Sequence, residues 1–95
     1  MSHRHRPDAV AMVTGAGKRR VGSFIARMLA ERSYRVAIHY RSSQSDAELL
    51  KNELLAQGRE AEVFQADMAE VSSIDRMFAQ DLERFGRLDV LVTAA

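Results

Sequence analysis

The stretch Ala9-Val-Ala-Met-Val13, followed by Thr14-Gly-Ala-Gly-Lys-Arg-Arg-Val-Gly22, decides the fold. Five apolar residues without a polar interruption suit a strand buried on both faces, as in a parallel sheet. The glycine-rich segment then breaks the pattern. From Ser23 to Arg32 the larger apolar residues Phe24, Ile25, Met28 and Leu29 return at helical spacing. A glycine loop therefore joins a first strand, β1, to a first helix, α1.

Working outward, Val36 to Tyr40 reads as a second strand, bounded by the turn-prone Arg41-Ser42-Ser43. Ser45 and Glu48 have the spacing of a capping box, in which each side chain satisfies a free N–H at a helix start. Ala47, Leu50 and Leu54 continue that helix on one face, and Gly58 supplies its stop. Glu60 to Ala66 is a third strand ending at Asp67. Ser72 or Ser73 is expected to cap a third helix with an apolar stripe of Ile74, Met77, Phe78, Leu82 and Phe85, ending at Gly86. Leu88 to Thr93 is a fourth strand, with Val90 and Val92 expected to be poorly covered. Strands alternating with helices predict a doubly wound, Rossmann-type α/β sheet of which this is the N-terminal half, in the order 3-2-1-4. Residues 1–7 read as a flexible leader and residues 8–95 as the N-terminal part of one dinucleotide-binding domain, with the chain expected to be truncated.

Composition narrows the function. The chain has 95 residues, 46% hydrophobic and 28% charged, which excludes a low-hydrophobicity disordered protein. Fourteen basic residues against thirteen acidic ones give a net charge of +1, no basis for bulk attraction to nucleic acid or membrane. An RNA-binding reading through Arg4, Arg6 and Lys18 to Arg20 also lacks an aromatic stacking surface. Without cysteine there is neither a disulfide nor a thiolate metal site, and a cytoplasmic setting is compatible. His3, His5 and His39 are too scattered to argue a metal centre. The opening residues lack the apolar core of a secretory signal, and no apolar run reaches the length of a membrane span.

In a sheet of this order, ligands bind beyond the carboxyl ends of the strands, at the switch point between strands one and four. A glycine loop there offers free N–H groups at a helix start and lets a pyrophosphate approach the backbone, which singles out Gly15 and Gly17, with Val21 and Gly22 closing the loop before the helix. A plain tight turn is the alternative. The Walker A pattern is excluded, because Arg19 stands where a Ser or Thr would bind Mg²⁺. Lys18 and Arg20 supply charge for phosphate. Folds that bind NAD place a carboxylate after the second strand for the ribose hydroxyls, whereas here His39-Tyr40-Arg41-Ser42-Ser43 contains no acid. A cation and two hydroxyls suit the 2′-phosphate of NADP. Asp67 is either an acceptor for the adenine amino group or a turn aspartate. Asp89 and the arginines of the third helix read as surface charges. Neither Tyr34 nor Tyr40 has a lysine four residues on, so no acid–base dyad is visible.

Thr14-Gly15 with Gly22, Asp67-Met68 and Leu88-Asp-Val-Leu-Val92 resemble the N-terminal half of the short-chain dehydrogenase/reductases over nearly all of residues 8 to 95. Lys-Arg in the loop and His-Tyr-Arg-Ser after the second strand look most like the NADP-dependent branch containing the pteridine reductases. Two departures stand out. The family loop TGxxxGxG is one residue longer here, with Arg20 near the place of the middle glycine. The family's Asn-Asn-Ala-Gly appears as Thr93-Ala94-Ala95. The resemblance implies cofactor contacts by Met68, Ala94 and Ala95 in addition to the residues above, a small carbonyl-type substrate and a homo-oligomer, dimer or tetramer. It also implies a serine, tyrosine and lysine set further along such chains, in which the tyrosine protonates a carbonyl receiving hydride. The alternative is a dinucleotide-binding sensor without catalysis.

Overall fold

The computed structural model describes residues 8–15 and 20–94, with Arg20 described by its backbone alone. Residues 1–7, the loop 16–19 with Lys18, and Ala95 lie outside the described residues. The elements are β1 (Val10–Thr14), α1 (Arg20–Glu31), β2 (Arg35–Tyr40), α2 (Gln44–Ala56), β3 (Ala61–Gln65), α3 (Val71–Phe85) and β4 (Val90–Thr93). All four strands are parallel, in the order β3-β2-β1-β4, as the alternation of strands and helices predicts. No described helix is long and apolar enough to cross a membrane.

β1 is buried at every position because it has a strand on each side and helices on both faces. On one face Val13, Val36 and Ile38 pack with Ala26 and Ala30 of α1 and with Ala47, Leu50 and Leu54 of α2. On the other, Met12, Ala37 and Phe64 pack with Met77 and Phe85 of α3. β4 closes one edge of the described sheet. Its Val90 and Val92 are half-buried, while Leu91 between them is 47% exposed.

The helices depart from the sequence reading in informative ways. α1 meets the sheet through Gly22, Ala26 and Ala30, one residue every four, flanked by Ile25 and Leu29, while Phe24 stands 66% exposed. Small residues let the helix axis approach the strands, so the seam of α1 runs along its smallest side chains rather than its largest. α2 starts one residue before Ser45, and its cap is Ser43, whose side chain makes no capping bond. The Ser45–Glu48 capping box is therefore absent. Gly58 does end the helix, at a φ of 78°, with the Arg59 N–H reaching back to the Leu54 carbonyl. α3 starts at Val71 after Glu70, so neither Ser72 nor Ser73 is its cap. The buried row is Ser73, Met77, Asp81 and Phe85, with Leu82 52% exposed.

Asp89 is no plain surface charge. Its Oδ2 accepts the Val10 N–H at 2.9 Å, and both its oxygens take bonds from Arg87, at 2.8 and 2.6 Å. Arg87 in turn reaches Asp8 at 2.8 Å. Arg84 of α3 also has work beyond solvation, pairing with Glu62 at 3.3 Å and lying 4.7 Å from the Phe85 ring centroid.

Candidate functional site

Parallel strands that all run one way deliver their following loops to one edge. Gly15 after β1, Arg41 to Ser43 after β2, and Asp67 to Ala69 after β3 line a hollow of about 510 Å³, with Thr93 of β4 on its far side. Of the residues singled out in the sequence, Gly15, His39, Tyr40, Arg41, Ser42, Ser43, Asp67 and Met68 are brought together here. Val21 and Gly22 sit in the first turn of α1, Val21 63% exposed and Gly22 buried. Ala94 follows β4, and its N–H bonds to the Thr14 carbonyl at 3.2 Å. Arg20 opens α1. Lys18 and Ala95 lie outside the described residues.

Gly15 has a φ of 76°, a left-handed conformation that costs a residue with a side chain but little for glycine. That turn takes the chain out of the sheet. Thr14 is anchored beside it, its hydroxyl donating to the Val92 carbonyl at 3.5 Å. The loop after β2 is pinned by the Gln65 amide, which donates to the Arg41 carbonyl at 3.0 Å. Arg41 and Ser42 are exposed, and among the described residues the Arg41 guanidinium has no ion-pair partner. α2 begins immediately after, so its free N–H groups and positive dipole end add to the Arg41 charge at this corner.

Asp67 turns out to have a local job. Its Oδ1 accepts the Ala69 N–H at 3.0 Å, and its own N–H donates to the Ser73 hydroxyl at 2.9 Å. These bonds shape the turn between β3 and α3, while the residue still lines the hollow. His39 carries a role that sequence reasoning missed. Its Nδ1 accepts the Gly15 N–H at 2.9 Å, and its Nε2 lies 2.9 Å from the Ala66 carbonyl. No sequence signal marks this, since it depends on two residues brought together from positions 24 and 27 apart.

The sequence model of the short chain dehydrogenases matches residues 9–95, nearly the whole chain. The chain belongs to that family. Individual relatives agree with it. The chain is 38% identical to versicolorin reductase 1 of Aspergillus parasiticus over 96 aligned positions, covering 100% of the chain and 36% of the relative. It superposes on a putative dehydrogenase of Burkholderia cenocepacia with bound NADP at a TM-score of 0.82 and 37% identity, covering 90% of this chain and 33% of that one. A metagenomic short-chain oxidoreductase in complex with NADP gives a TM-score of 0.80 at 34% identity, over 88% of this chain and 37% of the other. The chain thus spans about a third of the length of the relatives it matches.

Proposed function

We propose that this short chain dehydrogenase is the cofactor-binding part of an NADP-dependent oxidoreductase that transfers hydride between NADPH and a small carbonyl-type substrate. The observation that carries the reading is the corner after β2, where Arg41, Ser42 and Ser43 line the hollow and no carboxylate follows the strand. A carboxylate there would bind ribose hydroxyls and repel a 2′-phosphate. A guanidinium with two hydroxyls beside a helix start offers that phosphate charge and donors. Family membership and the NADP bound by two relatives support the same cofactor.

In this reading Gly15, Val21 and Gly22 admit the pyrophosphate, with Lys18 and Arg20 adding charge. Tyr40, Arg41, Ser42 and Ser43 hold the adenosine end, Asp67 and Met68 border the adenine, and Ala94 and Ala95 lie toward the nicotinamide. Bound NADPH supplies the hydride. This chain's residues bind and orient, while proton transfer belongs to the serine, tyrosine and lysine set that the family resemblance implies. The protein acts in the cytoplasm as a homo-oligomer, without nucleic acid or membrane partners. The likeness to the pteridine-reductase branch rests on His39 to Ser42 at this corner together with Lys18-Arg19 in the glycine loop.

NADPH oxidation by the whole protein, followed by absorbance across a panel of aldehydes, ketones and pterins, tests the reading. Consumption that depends on one of these substrates is expected. Tight NADPH binding without turnover on any of them would favour a sensor instead.

A further inference from the structure

Outside the cofactor corner, the ring of His39 is the group whose surroundings say most. It is 4% exposed, and it sits one position beyond the last β1–β2 pair, Val13 with Ile38, and opposite Phe64 in β3. β1 and β3 are not neighbours, and beyond this point their chains part on either side of β2. The imidazole bridges that gap. A carbonyl oxygen only accepts, so Nε2 must carry the proton donated to Ala66. A backbone N–H only donates, so Nδ1 must be bare to accept from Gly15. The two bonds together assign one neutral tautomer.

We propose that His39 is a positioning residue for the phosphate loop, fixing Gly15 from below while tying it to the end of β3, rather than a hydrogen-bonding ligand of the cofactor. Both ring nitrogens are spent inside the protein. The N–H of Gly15 is likewise committed to the ring, so Gly15 serves the cofactor through its left-handed turn and its missing side chain, not as a phosphate donor. Ala66, at the other end of the strut, immediately precedes the Asp67 turn that Ser73 and Ala69 hold. Two walls of the hollow are thereby set at a fixed separation by one rigid ring. This inference rests on the cofactor reading above, but its geometry is checkable without any cofactor.

Asparagine and glutamine separate the two arms. In His39→Asn the amide oxygen reaches about as far as Nδ1 and keeps an acceptor for Gly15, while the Ala66 arm is lost. In His39→Gln the amide nitrogen reaches about as far as Nε2 and keeps the Ala66 arm, while Gly15 loses its acceptor. His39→Leu loses both. The experiment measures NADP and NAD dissociation constants for the whole protein and these variants, with melting temperatures for each and amide exchange at Gly15 in the ligand-free state. The 15N spectrum of the wild-type ring reports the tautomer. Loss of an acceptor for the part-buried Gly15 N–H predicts a roughly 5- to 150-fold weaker binding of NADP in Gln and Leu, with Asn within a few-fold of wild type. NAD weakens in parallel, because a misplaced loop does not discriminate at the 2′-phosphate. Faster Gly15 exchange in Gln than in Asn at matched melting temperature supports the strut even if the protein prefers NAD. Should Leu fail to fold, the Asn and Gln pair still decides. Gln binding as well as Asn, or a wild-type ring protonated at Nδ1 alone, would overturn it.

Discussion

The two ends of one sheet contrast sharply in how they satisfy their polar groups. At the amino end, Asp89 takes the Val10 N–H and both arms of Arg87, Arg87 also holds Asp8, and Arg35 donates to the carbonyls of Asp8 and Phe85 at 2.7 and 3.2 Å. The Arg35 guanidinium also lies 5.2 Å from the Phe85 ring centroid. At the carboxyl end, Arg41 and Ser42 face solvent across an open hollow, and the ring of His39 ties the strand ends together beneath it. Charges that close on one another stabilise a fold and leave little for a ligand. Charges held apart on pinned loops are available to one. The same strands thus carry a sealed end and a receptive end, and direction along the sheet separates stability from binding.

Breaking the receptive end at its turn has the largest expected effect. Gly15→Val puts a β-branched residue at a φ of 76° and a side chain where the proposed pyrophosphate would approach. Cofactor binding should fall by about 100-fold or more, with the helical circular dichroism signal largely kept. Isothermal titration of the variant with NADP checks this, and unchanged affinity would remove the loop from the site.

The sealed end also holds a buried, unpaired carboxylate, that of the fully buried Asp81, whose two oxygens have no hydrogen-bond partner among the described residues. Burial pushes its pKa up from 3.8 to about 6, against the attraction of Arg35 and helped by repulsion from Asp89. Between those two values the unfolded chain has released the proton while the folded protein retains it. Stability therefore falls as pH rises through this window, and above about 6 the penalty is complete. The difference amounts to roughly 3 kcal/mol at most. Asp81→Asn should abolish the slope, leaving the variant more stable than wild type at pH 7 and close to it below pH 4. Denaturant midpoints from pH 4 to 8 measure it.

Asp89→Ala sharpens the contrast from the other side. It leaves the Val10 N–H without its acceptor, at a cost of roughly 1–3 kcal/mol in unfolding free energy, while the folded fraction should bind NADP as wild type does. A clear loss of affinity at full folding would mean the two ends are coupled.

Much of this was legible in the sequence because it rests on period and punctuation. The unbroken apolar run to Val13, the loop to Gly22 and the acid-free stretch after Tyr40 located the sheet, its order and the corner with Arg41. What stayed hidden depends on tertiary closeness. α1 packs through Gly22, Ala26 and Ala30 because a helix lying close over a sheet wants small side chains, so large residues such as Phe24 misled the pattern. Asp81 broke an apolar stripe whose true row runs from Ser73 to Phe85. Ser45 looked like a cap because local spacing cannot tell a helix start from its first turn. The roles of His39 and Asp89 depend on partners 24 and 79 positions away, which spacing within one element never reveals.

The central claim is that the corner after β2 selects the 2′-phosphate of NADP through Arg41. Its most direct test is parallel titration of NADP and NAD against the wild-type protein and Arg41→Ala at low and high salt. Each bond from a cation to phosphate contributes about 1.5–3 kcal/mol, so the variant should lose roughly 10- to 150-fold in NADP affinity while NAD scarcely moves. Added salt should weaken NADP binding more than NAD binding in the wild type. Equal affinity for the two cofactors in the wild type, or an NADP preference that survives undiminished in Arg41→Ala, would contradict the account.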